Sequence, residues 1–166
     1  GIMFVAVVGS FYFVFQGNTV QKFISTTEIN GLSEAKASET IELKNGDTFE
    51  LTASVVKKKI GDSEVRMLAY NGMVPGPTLK VKKGSEVTIH FVNNIGIPTT
   101  LHSHGVRLEN MYDGTPNATQ KEIAPGAAFT YKIKFPDEGV YWYHPHVRED
   151  YAQEMGLYGN FIVEPT

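Results

Sequence analysis

Four of the five histidines in this chain fall into two His-x-His pairs, His102-Ser103-His104 and His144-Pro145-His146. Successive side chains on a strand point to opposite faces, so residues two apart share a face and each pair aims both imidazoles the same way. Each pair closes an apolar stretch, where a loop gives a ligand access. Two such strand ends laid side by side would gather four neutral nitrogen donors, a set that suits copper, zinc, iron or nickel. A single pair would carry little weight, and chance clustering of hydrogen-bonded histidines is the ordinary alternative. Two pairs that use four of five histidines in a small domain outweigh it. His90 is the contrast, a lone histidine in the middle of EVTIHFVNN that is expected on a strand face with no metal.

The elements that must position these pairs read as strands. From about residue 41 onward, short apolar alternations are separated by turn signals such as Asn45-Gly46-Asp47, Gly61-Asp62 and Pro75-Gly76-Pro77. FELTASVVKKKI places Phe49, Leu51, Ala53 and Val55 on one face, EVTIHFVNN does the same for Val87, Ile89 and Phe91, and AFTYKIKFP for Phe129, Tyr131, Ile133 and Phe135. EVRMLAYNG, TLKVKKG, GVYWYHPH and LYGNFIVEP complete a set of about seven or eight short strands, which indicates an antiparallel sandwich or barrel. Only REDYAQEM, in a loop, suits a short helix.

Composition narrows the chemistry further. The 166 residues include no cysteine, which excludes disulfides, thiolate zinc and iron–sulfur sites, thiol nucleophiles and a blue-copper centre in this chain. Fifteen basic against 18 acidic side chains, a net charge of −3, give no electrostatic reason to expect nucleic acid as a partner. Residues 2–15 carry no charge and are shorter than the roughly 20 residues of a membrane helix. Residues 1–16 are read as an incomplete signal peptide or signal-anchor, which would place the rest outside the cytoplasm. No A-x-A-like cleavage site stands out, so a retained membrane anchor and a cleaved signal both fit. Residues 17–40 are polar and low in aromatics and read as a flexible linker, with a short helical turn conceivable at residues 34–39. One folded domain, residues 41–166, follows.

The stretches around the histidines resemble the first domain of the multicopper oxidases, the laccase-like family. The resemblance rests on His-x-His-Gly at residues 102–105, Asp-Gly-x-Pro-x-x-Thr-Gln at 113–120, Pro125-Gly126, Tyr-Trp-Tyr-His-x-His at 141–146 and Gly-Leu-Tyr-Gly-x-Phe-Ile-Val-Glu-Pro at 156–165. Upstream, residues 70–78 are similar to the family's N-G-x-x-P-G-P-T segment. The resemblance implies an all-β, cupredoxin-like Greek-key β-sandwich and a trinuclear copper cluster that reduces dioxygen to water while phenols, metal ions or another reductant are oxidised. Carried over residue by residue, His102 matches a ligand of the type 2 copper, His104 and His144 ligands of one type 3 copper, and His146 a ligand of the other. Asp113 matches an acid that orients water and passes protons, although a turn residue before Gly114 reads equally well from sequence. Trp142 and Tyr143 are expected as packing residues around the ligand strand rather than redox relays.

The departures from the family pattern matter as much. The cluster takes twice as many histidines as this chain's four, and a proline, Pro145, stands where the type 1 motif carries cysteine. The remaining ligands are therefore expected from further C-terminal cupredoxin domains of the same chain or from a neighbouring subunit. Two other readings compete with this one. Gly96, five residues, His102-x-His104, four residues and Glu109 fit the first half of a cupin motif, and the histidines also suit a zinc lyase, but no second cupin motif follows. A structural relative that has lost copper would be expected to have lost ligands, yet all four are present.

Overall fold

A computed structural model of the chain describes residues 29–166. The hydrophobic run at residues 2–15 and residues 17–28 of the polar segment after it therefore lie outside the described residues. Within Leu32–Thr166 the strands in chain order are β1 (Thr40–Glu42), β2 (Thr48–Ile60), β3 (Ser63–Tyr70), β4 (Thr78–Lys82), β5 (Glu86–Asn93), β6 (His102–His104), β7 (Ala128–Lys134), β8 (Gly139–His144) and β9 (Gly159–Glu164). A four-residue helix, α1 (Glu149–Ala152), lies in the loop where a short helix was expected, and a 3-10 turn covers Asn110–Tyr112. No helix among the described residues is long and apolar enough to cross a membrane.

The strands build two sheets, one in the order β1-β4-β9-β8-β6 and one in the order β3-β2-β5-β7. The alternation read from sequence identifies the inward faces. Tyr131, Ile133 and Phe135 on β7 and its exit, and Val87, Ile89 and Phe91 on β5, are all buried. They meet Leu79, Tyr143, Phe161 and Val163 of the other sheet in one apolar core, where each fully buried side chain contributes about 1.5–3 kcal/mol. Aromatic rings bridge the layers, with Tyr70 against Tyr143 at 5.3 Å and Phe135 against Phe161 at 5.1 Å.

Three of the seven strand pairings, β1 with β4, β4 with β9 and β2 with β5, are parallel. The sheets are thus mixed, whereas alternation alone suggested antiparallel ones. Alternation fixes which face a side chain takes and says nothing about the direction of its neighbour. Parallel pairs form here because the chain crosses between sheets instead of returning by a hairpin.

Two further features concern β2. Leu51 and Ala53 enter the main core and Val55, half-buried, packs against it as expected, while Val56 is also buried, in a separate cluster with Ala69 and Val74. Ladder pairing with β5 ends at Ala53, and the side of β2 that β5 leaves is taken by the preceding chain. The Lys57 N–H donates to Ser33 O at 3.0 Å and Lys57 O accepts from the Ala35 N–H at 2.7 Å. The same segment runs on through a bond from Lys36 N–H to Gly72 O and one from the Ser38 hydroxyl to Gly76 O before entering β1. The end of the stretch read as a flexible linker is therefore an extended strap bonded to the sandwich, with no helical turn, because β2 offers it unpaired backbone groups.

Two glycines let the layers close around the histidine strands. A Cβ at Gly159 would fall 2.3 Å from the Tyr143 ring, whose hydroxyl donates to Pro77 O at 2.6 Å. At Gly114, with φ +81°, a Cβ would fall 2.0 Å from Leu101 O, immediately before β6. Gly114→Ala should therefore destabilise the domain by about 3 kcal/mol, combining left-handed backbone strain with overpacking. Denaturant unfolding measures this, and an unchanged midpoint would contradict the close approach of Gly114 to Leu101.

Candidate metal centre

The antiparallel pairing of β6 with β8 sets His102 opposite His144 and His104 opposite Trp142. The pleat then carries His102, His104 and His144 to one face, while Ser103 and Tyr143 between them turn into the core. Three anchors hold this corner. The Leu101 N–H donates to the hydroxyl of Tyr131, which reaches across from the other sheet, at 3.0 Å. The His146 N–H donates to Thr100 Oγ1 at 3.1 Å, so the loop after β8 is tied to the loop before β6. Pro145, which has no N–H to offer a ladder, ends β8.

His102, His104 and His144 each present a ring nitrogen within 4.8 Å of the other two. The Nδ1 of His104 lies 3.2 Å from the Nε2 of His144, close to the about 3.3 Å that separates two nitrogens bound tetrahedrally at about 2.0–2.1 Å to one ion. His146 stands beside this trio, its ring 4.3 Å from that of His102 and 5.2 Å from that of His144. Three of the four sequence-identified histidines thus converge on one point and the fourth adjoins them. His90 lies elsewhere, on the outer face of β5, with its Nδ1 2.6 Å from Glu50.

Ring protonation is set by acceptors that cannot donate. His102 Nδ1 is 2.6 Å from Asp113 O, and His144 Nδ1 is 2.9 Å from Pro145 O. A carbonyl oxygen only accepts, so each Nδ1 carries the proton and each Nε2 keeps its lone pair for a metal. His146 Nδ1 faces the carboxylate of Glu149 on α1, which orients that ring in the same way. Glu149 was not singled out from sequence; its signal would have been the three-residue step from His146 into the expected helix. The two carbonyls have no sequence signature, since every residue carries one.

Asp113, half-buried, sits beside His102 with its Oδ1 3.5 Å from His102 Nδ1, and its Oδ2 accepts from the Thr115 hydroxyl at 2.6 Å. The fit to a metal that takes imidazole, such as copper or zinc, is good: converging ring nitrogens, Nδ1 protons held by carbonyls at His102 and His144, and a His104–His144 nitrogen separation that suits one ion.

Burial, helped by the neighbouring His102 and His146 imidazoles, lowers the pKa of His144 from 6.5 to about 4. His144 therefore stays neutral in the folded metal-free chain while the unfolded chain protonates it. Its contribution to stability is complete above pH 6.5 and is lost as pH falls from there through about 4. Thermal unfolding of the metal-free chain across that window should show this decline, and His144→Leu should flatten it. An identical profile for the variant would refute the assignment.

Residues 50–166, more than half of the chain, match the family model for multicopper oxidase. Multicopper oxidase MmcO of Mycobacterium tuberculosis is 39% identical over 120 residues, which cover 72% of this chain and 23% of that protein. Copper resistance protein A of Pseudomonas syringae pv. tomato is 32% identical over 130 residues, covering 78% and 21%. Among solved structures, the blue copper oxidase from Nitrosomonas europaea superposes with a TM-score of 0.70 at 37% identity, over 75% of this chain and 40% of that one. The chain thus spans between a fifth and a quarter of the length of these two curated relatives. Its two-sheet sandwich and the long match through both histidine strands lead to one conclusion: the chain belongs to the multicopper oxidase family, as a cupredoxin-like domain.

Proposed function

We propose that this domain supplies half of the histidine ligands of a trinuclear copper cluster in a larger oxidase outside the cytoplasm. In this reading His102 holds the type 2 ion, His104 and His144 share one type 3 ion, and His146 serves the other. The remaining donors come from a further cupredoxin domain of the same polypeptide or a neighbouring subunit. The observation that carries it is the meeting of His104 Nδ1 and His144 Nε2 at 3.2 Å, on a face built by two paired strands.

Bound copper would supply one-electron redox chemistry toward dioxygen, with phenols, metal ions or another reductant as the electron source. The chain's own groups prepare the site for it. His102 and His144 offer Nε2 lone pairs because backbone carbonyls hold their Nδ1 protons. In the metal-free chain His104 Nδ1 donates to His144 Nε2, so loading requires only that the exposed His104 ring carry its proton on Nε2 instead. Asp113, half-open to solvent and beside His102, is placed to hold a proton at its carboxylate and pass it inward.

The purified chain should take up on the order of one to two copper ions yet catalyse no oxygen-dependent oxidation of a phenolic dye. His104→Ala should weaken copper binding by more than the roughly 10–100-fold that follows loss of an outer hydrogen-bond partner. Dye oxidation by the chain alone, abolished in His104→Ala, would overturn the shared-site reading. So would an absence of copper uptake.

A further inference from the structure

Three of the four site histidines have an acceptor that fixes their ring: Asp113 O for His102, Pro145 O for His144, and Glu149 for His146. His104 has no such partner outside the site, since its one bond runs to His144 Nε2, itself a donor the metal would take, and it is the most exposed of the four. What lies against it is Trp142, its register partner on β8 and the single tryptophan of the chain. The indole is 4.9 Å from the His104 ring at an interplanar angle of 30°, and 3.9 Å from the His144 ring at 21°. The other contacts of His102 and His146 with the site rings are steeply inclined, at 54–79°.

The terminal torsion of histidine is broad, so a ring without a fixed hydrogen bond turns easily about it. A flat aromatic surface removes that freedom, because a tilted imidazole loses the stacking contact. Even His144, tied outside the site through Nδ1 alone, can roll about that bond unless its plane is held. Resting on the proposed metal site, we infer that Trp142 is a positioning residue: its indole sets the ring planes of His104 and His144 and so aims His104 Nδ1 and His144 Nε2 at a shared ion. It replaces the acceptor outside the site that His104 lacks.

The test separates Trp142 from the metal reading by starting without metal. Nitrogen-15 spectra of histidine rings in the metal-free chain should show His104 with its proton held on Nδ1 by the bond to His144 Nε2. In Trp142→Leu and Trp142→Thr the ring planes that keep this bond should be lost and His104 should average between tautomers, while His102 and His146 are unchanged and Trp142→Phe retains the wild-type pattern. Copper affinity should fall about tenfold in the aliphatic variants and stay within about threefold in Trp142→Phe. In the wild-type chain, Cu(II) should quench the sole tryptophan's emission in step with binding, and His104→Ala should remove most of that quenching. Unchanged His104 signals in a folded aliphatic variant overturn the inference, as does copper binding that leaves the emission untouched. Should the wild-type chain bind no copper, the metal reading fails while the metal-free spectra still decide the role of Trp142.

Discussion

Side chains two residues apart on a strand share a face, and the ladder between β6 and β8 applies that constraint from both sides at once. With His102 opposite His144, the period of the backbone alone delivers three imidazoles to one patch. A slip of one residue in this register would turn His102 and His104 into the core and bring Ser103 out. The rest of the domain can be understood as what prevents that slip. Ser103 and Tyr143 are buried, so the inward face of both strands is committed. Tyr131 grips Leu101 from the opposite sheet, and Gly114 lies so close to Leu101 O that the loop carrying Asp113 has one position available.

Metal sites need lone pairs as well as positions, and here burial and backbone acceptors provide them together. The environment that keeps His144 neutral is the apolar packing that also holds β8 in place. The Nδ1 bonds to Asp113 O and Pro145 O then choose which nitrogen faces outward. The site is polar at its surface and apolar beneath, and both properties come from one alternating strand.

Much of this was legible in the residues. The spacing of the His-x-His pairs identified the donors, and the alternation at Phe129, Tyr131, Ile133 and Phe135 identified a core strand whose inward face is that of the structure. Other features were not. The parallel pairings depend on which sheet the chain crosses to, a long-range matter that alternation does not encode. The burial of Val56 beside that of the core-facing Val55 depends on Ala69 and Val74, which lie far along the chain. Glu149 and the two carbonyls act through loop geometry, so their roles emerge only once His146, Asp113 and Pro145 have been placed. The strap over residues 33–39 looked like tether because its bonds use backbone, which composition does not reveal.

That strap has a bearing on how the domain behaves in a crowded solution. A strand with unsatisfied backbone groups along one side is a template for another molecule's strand. Where β5 leaves β2 after Ala53, such a template would exist at Lys57, and Ser33 and Ala35 occupy it instead. Seven residues of unremarkable polar sequence thereby act as a built-in competitor for the exposed edge, keeping the sandwich from recruiting copies of itself at that position.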